Sequence, residues 1–214
     1  MQRRFRAVIF DFEGTLVDFQ WQLGPAEEEL RRACAALGCA TAGSYAQLWN
    51  AAVAAGEPAG RLGEIRRGLQ PIYDRWDADA ATRWAPRPGA QALLAALAGR
   101  GVAAARVSNC GRAAVAGVLS RFHLDEHLLP VICRDDLHFM KPHPEGTQRA
   151  LASLGLAPHE ALFVGDSRTD VHAARAAGVP VAVIRGGECD PDAFADLPPD
   201  HWVDELGEIL ALIG

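Results

Sequence analysis

One stretch limits what this chain can become: Val8-Ile9-Phe10-Asp11-Phe12-Glu13-Gly14-Thr15-Leu16. Its run of β-branched and aromatic residues predicts a strand buried on both faces, as in a parallel sheet. The run stops abruptly on an acid, followed by a glycine and a hydroxyl. In open α/β sheets ligands bind in the crevice beyond the carboxyl ends of the strands, so Asp11 and Glu13 stand where chemistry would be done. An acid after a strand can equally be the first residue of a turn, and only the rest of the chain decides between the two.

The next segment changes character. Apolar residues recur at helical spacing over 24–37, with acids early and arginines late. A second helix is predicted over 45–55 behind the cap residue Ser44, and a third over 62–76, where Gly68 and Pro71 threaten to interrupt it. No strand-like run occurs between Leu16 and Val102. Residues 18–85 therefore read as an all-helical insertion, a small lid, in a core made of residues 1–17 and 86–214, with hinges at 17–19 and 85–89. Beyond the second hinge helices and strands alternate, the strands at 102–107, 131–133, 161–164, 179–184 and 201–203, and a Gly-, Pro- and Asp-rich loop covers 185–200. Connections this regular predict an α/β fold, a mainly parallel sheet with helices on both faces.

Half of the 214 residues are apolar, enough for a substantial core. The net charge of −6, without any lysine–arginine block, argues against a nucleic-acid or anionic-membrane partner and for a small molecule. The start Met1-Gln2-Arg3-Arg4-Phe5-Arg6 is basic, but the apolar stretch behind it, Ala7 to Phe10, is too short for a signal peptide or a membrane span, so a cytoplasmic protein is expected. Cys34, Cys39, Cys110, Cys133 and Cys189 form an odd set without a C-x-x-C pair and read as reduced packing residues. Lys141 is the only lysine. Chemistry that needs an amine has one candidate.

Four stretches fall at strand ends or in the loops after them: 11–15, Ser108-Asn109, Lys141-Pro142 and 165–170. Each has a plain structural use. Ser108 or Asn109 can cap the helix behind it, Lys141 can be a solvated loop charge, and Asp166, Ser167 and Asp170 suit the start of a helix. Together they answer one chemical problem, phosphoryl transfer. Asp11, Asp166 and Asp170 would repel one another unless a divalent cation sat among them, and all-oxygen ligands suit Mg²⁺. Lys141 and the Ser108 hydroxyl, with backbone N–H groups around Gly14, Thr15, Leu16 and Asn109, can hold phosphate oxygens. Asp11 is then free to attack phosphorus in line, and Glu13 to protonate the leaving oxygen and later deprotonate the hydrolytic water.

The ordered set Asp-x-(Asp/Glu)-Gly-Thr, Ser/Thr-Asn, Lys-Pro and Gly-Asp-x-x-x-Asp, with a helical insert after the first, resembles the haloacid dehalogenase superfamily. Residues 164–178 and 141–145 are most similar to its phosphoglycolate-phosphatase-like branch. The resemblance spans nearly the whole chain, the lid only in position and helical character. It implies a Rossmann-like core with a mobile helical cap, and a Mg-dependent phosphatase of a small phosphorylated metabolite working through an aspartyl-phosphate. It further implies Asp11 as nucleophile and metal ligand, Asp166 as a second ligand, Asp170 as a ligand lying behind these or reaching the metal through water, the Glu13 backbone carbonyl as a metal contact, and Ser108 and Lys141 as phosphate binders. Glu13 departs from the aspartate usual there, although the enolase-phosphatase branch also carries Asp-x-Glu-Gly-Thr. Its carboxyl lies one methylene, about 1.5 Å, further out.

Rival readings are weighed on the same residues. The metal-free dehalogenases of the superfamily lack an acid at position 13, and the phosphonate-cleaving relatives need a lid lysine, which this chain does not have. A phosphomutase shares all four stations. A catalytically idle binding protein is the alternative from another class. Trp21, Trp49, Trp76, Arg61, Arg66 and Arg67 of the lid are candidates to face the leaving group, although tryptophans in a small bundle are usually core and arginines at helical spacing usually solvated.

Overall fold

Ala7-Val8-Ile9-Phe10 forms the central strand because both of its faces find cover. All four residues are fully buried, Ala7 and Ile9 in one hydrophobic cluster, Val8 and Phe10 in another on the opposite face. The computed structural model describes residues 4–214, so Met1, Gln2 and Arg3 of the basic start lie outside the described residues. Strands β1 (Ala7–Phe10), β2 (Ala103–Val107), β3 (Leu128–Ile132), β4 (Ala161–Gly165), β5 (Val181–Ile184) and β6 (His201–Val203) make one sheet in the order β3-β2-β1-β4-β5-β6. Every neighbouring pair is parallel. The chain runs outward from β1 to β3 and then returns to β4 on the other side, so the crevice where the order reverses lies beside β1, the place such sheets bind ligands.

Helices α4 (Ala90–Gly99) and α8 (Ile209–Ile213) cover one face of the sheet, and α6 (Glu145–Leu154) and α7 (Arg168–Ala176) the other. Helix α5 (Arg112–Arg121) follows β2. The α/β architecture is as the alternation predicts. Strand β3 starts three residues earlier than expected, with Leu128 buried and Leu129 exposed. Asp204 pairs with Arg185 at 2.8 Å, and Glu208 accepts from the N–H groups of Asp204 and Glu205. All five cysteines are free. No helix among the described residues is long and apolar enough to cross a membrane.

Between β1 and α4 lie three helices, α1 (Leu23–Ala36), α2 (Tyr45–Gly56) and α3 (Leu62–Ala81), and no strand among the described residues. Helix α3 runs straight through Gly68 and Pro71 and five residues past the predicted end. A proline inside a helix costs about 3 kcal/mol. Here it is offset by a stripe of buried side chains, Ile65, Leu69, Tyr73, Asp77 and Ala80, packed against α1, α2 and α5. Gly68 lies where Leu37 comes close, since a Cβ there would stand 2.9 Å from a Leu37 methyl. The two linkers run side by side: Asp18 N–H donates to Ala85 O at 3.0 Å, Ala85 N–H to the Asp18 carboxylate at 2.7 Å, and Arg87 N–H to Leu16 O at 2.9 Å.

Candidate active site

The strand ends deliver their acids to one point. Asp11 leaves β1 with its N–H on the carbonyl of Val164 in β4, at 2.8 Å, which fixes it beside the end of that strand. Oxygens of Asp11, Asp166 and Asp170 lie within 4.8 Å of one another, all three residues buried. Lys141 is 3% exposed. Its amine donates to Asp170 Oδ1 at 2.6 Å and makes a close ion pair with Asp11 Oδ1. Burial pulls the Lys141 pKa down, but the charges of Asp11 and Asp170 carry it above the ordinary value, so the amine stays protonated. Burial, opposed by Lys141 and reinforced by Asp170, pushes Asp11 up to about 6.

Asp170 serves the helix and the cluster at once. Its Oδ2 accepts from the backbone N–H groups of Ser167 at 3.0 Å and Asp166 at 3.2 Å and from the Ser167 hydroxyl at 2.6 Å, starting α7, while Oδ1 holds Lys141. The plain reading of this acid, a helix start, holds, and its other oxygen reaches Lys141 in the cluster. Asp166 makes no ion pair among the described residues, and Arg87 acts on it only from further off. Its partners are the Thr15 hydroxyl at 3.3 Å and the Glu188 N–H, and burial, then Asp11 and Asp170, raise its pKa well above the carboxylate range. Glycines make the room: a Cβ on Gly14, whose φ is +81°, or on Gly187 would collide with the Asp166 carboxylate.

A buried triad of hard oxygen donors, one of them outside any ion pair among the described residues, inside a cradle that two extra methyl groups would fill, fits a Mg²⁺-like cation. One lysine does not balance three carboxylates.

The other expected residues are placed as follows. Ser108 lines the same cavity as Asp11 and Lys141; its oxygen accepts from Cys110 N–H at 3.0 Å, and its side chain also hydrogen-bonds the Cys110 thiol. The Asn109 amide does not face the cavity freely. It clasps the Lys141 backbone, accepting from Lys141 N–H at 2.9 Å and donating to Lys141 O at 3.2 Å. It thereby positions the lysine. Thr15 gives its hydroxyl to Asp166, and the N–H groups of Thr15 and Leu16 turn back to the Phe12 carbonyl, so these two backbone donors are not available to a phosphate. Glu13 shares the cavity with Asp11, but its Oε1 is held by Gln20 N–H at 2.8 Å, Trp21 N–H at 2.7 Å and the Trp84 indole at 2.8 Å, donors from both linkers. Burial outweighs these donors and lifts Glu13 to about 7.

A model of the haloacid dehalogenase-like hydrolases matches residues 5–178. The chain belongs to that family. It is 32% identical over 227 residues to the plasmid phosphoglycolate phosphatase of Cupriavidus necator, covering 97% of this chain and 92% of the relative. It is 32% identical to a phosphoglycolate phosphatase of Yersinia pestis, covering 99% and 94%. Among solved structures, a subfamily IA hydrolase of the same superfamily from Geobacter sulfurreducens is similar, with a TM-score of 0.64, 25% identity and coverage of 99% and 98%.

Two site residues of this haloacid dehalogenase-like hydrolase escape sequence reading. Glu188, from the loop after β5, lines the cavity with Asp11, and burial, then Asp170 and Asp11, raise it to about 7. Tyr45, the first residue of α2, reaches into the same cavity, where its oxygen accepts from Asn109 Nδ2 at 3.3 Å. The pair Gly186-Gly187 was the one available signal for Glu188. Of the three candidate tryptophans only Trp21 lines a cavity at the site; Trp49 donates to His138 O and Trp76 to Glu29. Arg61 pairs with Glu64, Arg66 donates to Leu137 O, and Arg67 is exposed.

Proposed function

We propose that this hydrolase removes phosphate from a small phosphorylated metabolite in a Mg²⁺-dependent reaction through an aspartyl-phosphate on Asp11. The chain is an enzyme of the phosphoric monoester kind by its family and by its relatives' names, which point to phosphoglycolate for those relatives. The observation that carries the reading is the buried Asp11–Lys141–Asp170 arrangement with Asp166, outside any ion pair among the described residues, beside it.

Asp11, Asp166 and the Glu13 carbonyl would hold the metal directly, with Asp170 behind them. The cation would supply charge neutralisation for phosphate oxygens against the acids around them. Lys141 neutralises the phosphate from the opposite side, and the Ser108 hydroxyl donates to it. With its anionic neighbours satisfied, Asp11 attacks phosphorus and carries the phosphoryl group. Glu13, whose pKa near 7 lets it hold a proton at neutral pH, gives that proton to the departing oxygen and then takes one from water. The linker donors that hold Glu13 place its position under the control of residues 18–85, which act as the lid over the core of residues 1–17 and 86–214.

The test is release of phosphate or p-nitrophenol from p-nitrophenyl phosphate with Mg²⁺, with EDTA and with Asp11→Asn. Turnover that stops with chelation and falls at least about 10³-fold in the variant is expected. Turnover that survives either change overturns the mechanism, and no turnover on this or other phosphate esters favours an idle binding protein.

A further inference from the structure

The loop that carries Lys141 runs from the end of β3 to α6, and side chains hold its backbone from two sides. On the core side Glu145, at the start of α6, accepts from His138 N–H at 3.1 Å and Phe139 N–H at 2.9 Å, and Asn109 clasps Lys141. On the other side the donors come from the helical insertion. Arg66 of α3 donates to Leu137 O at 3.1 Å, Trp49 Nε1 of α2 to His138 O at 2.9 Å, and Asn50 Nδ2 of α2 to Met140 O at 2.8 Å. Asn50 also takes the Met140 N–H, on Oδ1 at 2.8 Å.

Asn50 and Asn109 thus do the same thing to neighbouring residues. A primary amide offers a donor and an acceptor in one plane, which matches the N–H and C=O of a single residue. Asn109, from the core, closes such a ring on Lys141, and Asn50, from the insertion, closes one on Met140. Met140 is fully buried, and its carbonyl accepts in addition from His143 N–H at 3.0 Å, so the residue before the lysine is fixed through both of its backbone groups. Where a flexible four-carbon stem delivers its amine depends on where the backbone starts it. Helix α2 also reaches the site directly, since Tyr45, one turn before Trp49 on the same helical face, lines the cavity with Asp11 and Lys141. One helix of the insertion therefore borders the site and grips the loop that supplies the only cation lining it.

On the phosphatase reading above, we propose that Asn50 is a positioning residue for Lys141: the clasp of α2 on Met140 sets the lysine where it holds phosphate, and the lysine loses that place when the clasp is cut.

Two double-mutant cycles on the magnesium-loaded chain test it, one in kcat on p-nitrophenyl phosphate and one in the calorimetric Kd of inorganic phosphate. Asn50→Ala is expected to lower kcat at least about tenfold and to raise Kd at least about fivefold in the native background. In the Lys141→Met background, where no amine is left to place, the same change is expected to move either quantity less than about twofold. Equal losses in the two backgrounds, which a merely structural contribution of Asn50 gives, overturn the inference, and so does an Asn50→Ala chain with native kcat and Kd. If Asn50→Ala does not fold, Asn50→Ser, whose hydroxyl is too short to span both backbone groups, replaces it in both cycles with the same expectations. The native chain reports the phosphatase reading separately: no turnover of the aryl ester ends that reading, and the phosphate Kd still decides the role of Asn50.

Discussion

Two buried cations in this molecule stand in opposite circumstances. Lys141 faces Asp11 and Asp170 directly, with Asp166 and Glu188 close by, so acids outnumber it severalfold. Arg134 is matched. It donates to Asp77 at 2.7 Å, to Asp74 and to Asn109 O at 3.2 Å, and its guanidinium lies 5.1 Å from the Tyr73 ring centre. Asp77, on α3, takes two more donors, Trp21 Nε1 at 3.0 Å and Gly111 N–H at 2.7 Å, and so clasps the helical insertion to the core. Burial is similar in the two places, and the balance of charge is not. A surplus of one sign that persists in a dry interior marks a site awaiting something of the other sign, whereas a closed account marks a fastener.

The contrast can be broken from either end. Of the changes that separate the two cations, Lys141→Met is expected to have the largest effect, a fall of about 10²–10³-fold in aryl phosphatase kcat, because one buried donor to the transferring group is gone. A variant within tenfold of the native rate would show that the acid-rich cluster is not where phosphate reacts. Arg134→Met strands Asp77 and should cost about 3–5 kcal/mol in urea unfolding. Adding Asp77→Asn should recover part of it, and strict additivity of the two changes would mean that the clasp is not a unit.

The smallest effect is one of pH. In the metal-free protein Glu13 and Glu188 are raised to about 7, Asp11 to about 6, and Asp166 well above its ordinary value. The folded chain therefore keeps protons that the unfolded chain has already released, and stability declines as pH rises from the ordinary carboxylate range to about 7. The Tm of the metal-free chain should fall by a few degrees between pH 5.5 and pH 7.5 (roughly 2–4 °C for each kcal/mol at this size). Saturating Mg²⁺ should flatten that slope and Glu13→Gln should reduce it; a Tm that climbs across the interval would contradict the charge surplus.

Much of this was legible in the chain because the acids adjoin the strands that place them. Asp11 directly follows β1 and Asp166 directly follows β4, so finding the strands located the residues. Lys141 sits in a loop between elements, and its singularity in the sequence pointed to it. What resisted reading depends on contacts between segments far apart. Asn109 holds a lysine 32 positions away, and Arg134 meets Asp77 across 57. Glu188 belongs to a loop with no periodic pattern, whose path is set by how closely Gly187 passes Asp166. Helix α3 outlasted its proline through packing that no local propensity records.

The clasp of Asn109 around Lys141 has a consequence outside the reaction. As the chain's sole lysine is sealed beneath two carboxylates, the folded surface offers no side-chain amine to acylating reagents, to acetyl or ubiquitin transfer, or to amine-coupled supports. Nucleophilic side-chain labelling of this protein falls to its thiols, and a lysine that becomes reactive would report that the interior has come apart.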